Sequence, residues 1–82
     1  MDIEYLDYHG REISRFAIFH PGEEKWEGWA GVGRANSGQY FAVYSGLMDL
    51  HASRDEALLA AGRAAMQWIA EQENHAASPP AF

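Results

Sequence analysis

Histidine and carboxylate side chains that could bind a metal ion occur in two Asp-x-His triplets. Asp7 and His9 form the first, Asp49 and His51 form the second, and His20 stands apart from both. Imidazole and carboxylate are ligands that suit Zn²⁺ or a similar ion. Both triplets fall at predicted turns, however, where Asp and His are common for backbone reasons. No helical His pair fixes a ligand geometry, so we predict solvated turn residues and no metal or other cofactor.

Nucleophilic catalysis would need a hydroxyl or thiol beside an activating base. The chain has no Cys, and none of its serines lies in a Gly-x-Ser-x-Gly elbow. Nearly all of its carboxylates fall at strand ends, in turns or on the polar side of a helix, where nothing perturbs them for acid-base work. The sequence therefore predicts a non-enzymatic protein with no catalytic residue. The serines considered were Ser14, Ser37, Ser45, Ser53 and Ser78.

Two segments invite comparison with nucleotide-binding motifs. Gly28, Gly31 and Gly33 resemble a phosphate loop in composition, but no helix start and no Lys-Ser or Lys-Thr pair follows them. Residues 37–44 form an aromatic strand like that of an RNA-recognition sheet. The net charge is −6, from twelve acidic and six scattered basic side chains, which opposes binding to a polyanion. We predict no nucleic-acid partner and no membrane partner.

The N-terminal sequence predicts a cytoplasmic protein. Asp2 and Glu4 stand where a secretory signal needs basic residues followed by an apolar run. No stretch of the sequence approaches the length of about 18 apolar residues that a membrane-spanning helix requires.

Four segments have the composition of β-strands: residues 3–8, 12–19, 26–34 and 39–45. Turn residues separate them, namely His9-Gly10, a Pro-Gly pair at residues 21–22, and Asn-Ser-Gly at 36–38. Glycine inside the third strand indicates a bulge, a bend or a close approach of another group. With short links, these strands form an antiparallel meander.

A single helix is predicted from residue 54 to about 73. Ser53 is its N-cap and Glu56 completes a capping box. Small apolar residues recur at helical spacing, so the helix axis can come close to a partner surface that supplies large side chains. The fold class is therefore α+β, a four-stranded antiparallel meander with one C-terminal helix packed on one face (ββββα). Residues 1–74 form one domain, and residues 75–82, with two prolines, form a flexible tail.

One helix covers one face of such a sheet, yet apolar residues alternate onto both faces of the strands. If Phe41 and Val43 meet the helix, then Trp29, Tyr40 and Tyr44 lie on the open face. A contiguous aromatic patch of this kind is typical of an interface. We predict that the open face binds a protein partner or forms a homodimer; the alternative is that these rings are simply half exposed, with their polar atoms in water.

The strand-to-helix half of the chain, residues 39–68, resembles HicB-like antitoxin domains. The resemblance comprises the aromatic strand, the Ser53-x-Asp55-Glu56 cap and the alanines leading to Trp68. Such domains are small bacterial sheet-plus-helix proteins that bind a toxin, which implies a protein-binding role. The Pro-rich strand-end motif of that family is absent between Ser45 and Ala52.

The function predicted from all these features is that of a small, acidic, regulatory protein-interaction module, antitoxin-like in type, whose charge favours a basic partner. Two alternatives stay open. An acidic decoy of a nucleic-acid-binding protein would need its carboxylates clustered on one face. A small-ligand-binding domain would need a concave pocket with convergent polar groups.

Overall fold

The protein is a four-stranded antiparallel sheet followed by a single helix. A computed structural model describes residues 2–33 and 40–77. The strand order is β1-β2-β3-β4, so each strand pairs with the next one along the chain. The predicted meander and the α+β class are confirmed. The elements are β1 (Glu4–Tyr8), β2 (Arg11–His20), β3 (Lys25–Gly33), β4 (Tyr40–Ser45) and α1 (Arg54–Ala77).

The first hairpin is closed by the two residues that the sequence analysis identified. Tyr8 pairs with Arg11, and His9 and Gly10 between them have φ values of 50° and 75°. Two consecutive positive φ values are those of a type I′ turn, whose twist matches that of the flanking strands. Between β2 and β3 the chain turns through residues 21–24, while the predicted turn at residues 36–38 lies outside the described residues.

The helix lies on one face of the sheet. Three buried sheet residues, Ile13, Ala30 and Val32, pack in one cluster with buried residues of α1. The helix residues of this cluster are Ala61, Ala65 and Ile69. The short alanine side chains therefore face the sheet, as predicted. The large side chains expected opposite the helix are supplied at the centre of the sheet by the aliphatic residues Ile13 and Val32. The partly buried side chains around this cluster are Leu6, Tyr8, Val43, Tyr44, Met66 and Trp68.

Gly28 is a point of very close approach between helix and sheet. A Cβ added to Gly28 would lie 2.3 Å from the carbonyl oxygen of Ala57. No side chain fits in that space, since real Cβ atoms do not come within 3.0 Å of other heavy atoms. The predicted close approach at the glycines of β3 is thus found at Gly28, where strand backbone meets helix backbone.

The start of the helix is held as predicted. The backbone N–H of Glu56 donates to Oγ of Ser53 at 3.1 Å, which makes Ser53 the N-cap. Before it, the connection from β4 lies against β3, because His51 and Trp26 exchange two backbone hydrogen bonds of 2.8 Å. The helix continues to Ala77, four residues beyond its predicted end. The predicted tail at residues 75–82 therefore begins inside the helix, and residues 78–82 lie outside the described part of the chain.

Within the described part of the chain, no helix is both long enough and apolar enough to cross a membrane.

Candidate functional site

The open face of the sheet carries two of the three aromatic residues predicted there, Trp29 and Tyr40. Residues directly opposite each other in an antiparallel sheet point to the same face. Trp29 pairs with Phe16 on β2, and their rings stack with centroids 6.1 Å apart and planes only 4° from parallel. Trp29 also pairs with Ser45 on β4. This row of side chains forms a ridge across the open face.

Next to the ridge, a row of small residues crosses the sheet. Ser14 pairs with Gly31, and Gly31 pairs with Ala42, so one small residue from each of β2, β3 and β4 lies in line. These three residues are the floor of a trough of about 260 Å³. The ridge of Phe16 and Trp29 is one wall of the trough. Two inter-strand steps make the floor roughly 10 Å long.

Tyr40 forms the opposite wall by reaching across the sheet. It pairs with Gly33, and a Cβ added to Gly33 would lie 3.2 Å from the edge of the Tyr40 ring. Since glycine has no side chain, the ring can lie over β3. Its hydroxyl then donates to the carboxylate of Glu12 on β2. Glu12 and Phe16 are four residues apart on β2, which separates the two walls by roughly 13 Å at the backbone.

Tyr5 stands at the β1 end of the trough. It pairs with Ser14, which places it in line with the floor residues. Its ring centroid is 6.4 Å from that of Tyr40. Tyr5 is 57% exposed and Tyr40 is 41% exposed, so both rings are accessible from solvent. We use the name aromatic trough for the site built from the residues Ser14, Gly31, Ala42, Phe16, Trp29 and Tyr40.

The indole of Trp29 is held in place by a buried carboxylate. Glu27 is only 4% exposed, and one of its oxygens accepts the hydrogen bond donated by the indole N–H of Trp29. Its other oxygen is 2.7 Å from Nε2 of His20, which donates in the tautomer that a carboxylate requires. A buried carboxylate is tolerated when such partners satisfy it. One wall of the aromatic trough is therefore fixed before any ligand arrives.

Tyr44 is not on the open face, so its predicted placement beside Trp29 and Tyr40 is wrong. The reason is a β-bulge in β4: Gly31 pairs with Ala42 but Ala30 pairs with Tyr44, leaving Val43 as an extra residue. A bulge interrupts the alternation of faces along its strand. Both Val43 and Tyr44 consequently pack against the core beneath the helix.

Burial changes the pKa of the Tyr44 hydroxyl. Desolvation raises the pKa of its hydroxyl above the ordinary value of about 10, and the negative charge of Asp49 raises it further. Both effects disfavour the phenolate form.

The histidines and serines considered for metal binding and catalysis are spread over separate parts of the fold. Nδ1 of His9 is 2.9 Å from a carboxylate oxygen of Glu73 at the far end of the helix, and His51 belongs to the connection that pairs with β3. Across residues 2–33 and 40–77, no three His, Asp or Glu side chains are grouped to hold a metal ion. Ser14 lies in the trough floor and Ser53 caps the helix, whereas Ser37 and Ser78 fall outside the described residues.

Sequence reasoning did not identify Phe16, Glu12 or Glu27 as parts of this site. Counting residue by residue from the turn between β2 and β3 would have placed Phe16 opposite Trp29. The contact between Tyr40 and Glu12 had no such signal, because it joins two strands that are not neighbours.

Comparison with known proteins gave no match: no family model, no curated protein and no solved structure matches this chain. The resemblance to HicB-like antitoxin domains stays a prediction.

Proposed function

We propose that this protein is a non-enzymatic interaction module that binds a basic protein partner through the open face of its sheet. The observation that carries the proposal is the aromatic trough. Three of its six residues are aromatic, and it lies on the face that the helix leaves uncovered. Aromatic side chains concentrated in an accessible concave patch are typical of protein interfaces.

The charge of the protein indicates the kind of partner. The net charge is −6, and of the carboxylates on the open face Asp7 and Glu12 are exposed. A partner of opposite charge associates faster and is favoured over an acidic one. Two copies of this chain carry the same negative charge and therefore repel each other. A basic partner therefore fits this face better than a second copy does.

A regulatory role, such as that of an antitoxin that occupies the working surface of a basic protein, belongs to this class of function. The partial resemblance of residues 39–68 to HicB-like antitoxin domains supports the same class.

Site-specific photo-crosslinking tests the proposal. A photoreactive amino acid replaces Tyr5, which is exposed on the open face beside the trough, and, as the control, Arg63, which is exposed on the helix. We expect one basic protein of the native cell to be captured from position 5 and not from position 63. Capture of the same proteins from both positions would show that the open face is not the binding surface.

The captured protein is then purified and its affinity measured against two variants that add the same charge. Ala42→Arg adds a bulky cation to the trough, and Gln67→Arg adds it to the exposed side of the helix. We expect Ala42→Arg to weaken binding roughly tenfold or more and Gln67→Arg to have a small effect. Equal weakening by both would show that binding follows net charge alone and would contradict the proposal.

A further inference from the structure

We infer that the aromatic trough binds the guanidinium group of an arginine side chain. This inference rests on the proposed function and specifies what the basic partner inserts into the open face. Its support comes from the shape of the trough, from the rings that bound it and from the charges beside it.

The shape of the trough fits one long, unbranched side chain. Its floor of small residues, Ser14, Gly31 and Ala42, is roughly 10 Å long. The residues on both sides of this floor are aromatic, so an open slot lies between Trp29 and Tyr40. An extended arginine side chain can lie along such a slot with its methylene groups on the small residues and its charged group at one end.

The rings provide flat surfaces for a planar cation. A guanidinium group stacks on aromatic faces, is attracted by their quadrupole and is more weakly hydrated than an ammonium group. Phe16 and Trp29 are already parallel to within 4°. The hydrogen bond to Glu27 fixes the Trp29 indole, so little side-chain entropy is lost when a ligand stacks there.

The charges beside the trough are those that a cation would stabilise. Asp7 and Glu12 are directly opposite each other on β1 and β2, and like charges in that position destabilise a sheet. Glu12 also accepts the hydroxyl hydrogen bond of Tyr40, which places its carboxylate beside the trough wall. Among residues 2–33 and 40–77, no basic side chain forms an ion pair with either carboxylate. A guanidinium group near Tyr40 would place a positive charge beside both carboxylates.

The experiment uses the full chain and three blocked pentapeptides, Gly-Ser-X-Ser-Gly, in which X is arginine, citrulline or lysine. Citrulline has nearly the shape of arginine without its charge, and lysine has the charge without the planar group. Binding is followed by NMR through the indole N–H of Trp29 and the amides of Ser14, Gly31 and Ala42. We expect the arginine peptide to shift these resonances and the citrulline peptide to bind about tenfold more weakly.

Two variants locate the site. Ala42→Leu fills the trough floor and should abolish the shifts, while Gln67→Leu places the same side chain on the exposed side of the helix and should leave them unchanged. Glu12→Gln keeps an acceptor for the Tyr40 hydroxyl and removes the charge, so binding of the arginine peptide should weaken several-fold and depend less on salt.

Equal binding of arginine and citrulline would overturn the inference and indicate a purely apolar site. Equal or tighter binding of lysine would overturn the assignment to guanidinium. Shifts confined to residues outside the trough, or no shifts at all, would also overturn it. None of these results affects capture from position 5 by photo-crosslinking, so failure of this inference is distinguishable from failure of the proposed function.

Discussion

At the scale of single residues, Glu27 has an effect that its exposure alone would not suggest. It lies on the face of the sheet that the helix does not cover, yet it is only 4% exposed. Its two oxygens are occupied by Trp29 and His20. Because the carboxylate is satisfied from both sides, the ring of Trp29 keeps one orientation. A binding surface that is ordered before contact loses less entropy on association.

Tyr44 predicts how stability depends on pH. Burial first, and then the charge of Asp49, raise the pKa of the Tyr44 hydroxyl in the folded protein above about 10. The folded state thus keeps a proton that the unfolded chain releases. This contribution to stability is fully present below the unfolded pKa and is lost as the pH rises through the folded pKa. We expect the free energy of unfolding to fall above about pH 10, and to fall less steeply in Tyr44→Phe.

Urea unfolding at a series of alkaline pH values measures this difference, and the absorbance of phenolate identifies the late-titrating tyrosine. Tyr5→Phe is the control, because Tyr5 is exposed. If Tyr44→Phe and the wild-type protein lost stability in parallel, Tyr44 would not be the group responsible.

At the scale of elements, the strands and the helix could be predicted because each has its own local pattern. Alternation identified the strands, His9-Gly10 fixed the first turn, and Ser53 marked the start of the helix. Alternation also placed Trp29 and Tyr40 on the same face. It failed at Tyr44, because one extra residue in β4 shifts the pairing and nothing in the local composition marks where that shift occurs.

The aromatic trough as a whole could not be derived from the sequence for a related reason. It depends on the register of three strands at once, and the hydroxyl of Tyr40 meets Glu12 across a strand that lies between them. The register of each strand pair depends on its turn and on which face is buried, and that of β4 depends also on the bulge, so no single strand reveals it.

Because the helix packs closely on β3, adding one methyl group at Gly28 is expected to lower the stability of the protein substantially. In Gly28→Ala the new methyl group would lie 2.3 Å from the carbonyl oxygen of Ala57, so the helix must move away from the strand. We expect a loss of ~1–3 kcal/mol in the free energy of unfolding, measured by urea denaturation. Gly22→Ala is the matched control, because a Cβ at Gly22 meets nothing within 4 Å.

Gly22→Ala should change stability by no more than about 0.5 kcal/mol. Equal stability of the two variants would mean that the helix does not lie as close to β3 as the structure has it.

At the scale of the whole molecule, the two faces of the sheet have different roles. One is covered by α1 and supplies the core, and the other carries the aromatic trough with exposed carboxylates beside it. Two copies joined through their open faces would stack their sheets about 10 Å apart. The net charge of −6 on each copy opposes that association.

We therefore expect the isolated protein to be a monomer of 9.2 kDa over a wide range of concentration, as measured by light scattering coupled to size-exclusion chromatography. A dimer that dissociates in Ala42→Arg and persists in Gln67→Arg would show instead that a second copy occupies the open face.

The position of α1 along the chain also has a consequence for biosynthesis. The core cluster joins Ile13 on the second strand to Ile69 on the helix, so the apolar interior cannot close until almost every described residue has been translated. Until then the nascent sheet exposes apolar side chains on both of its faces, a condition in which chains are prone to aggregate. Shielding by a chaperone or by the partner during synthesis would matter most in the interval before the helix leaves the ribosome.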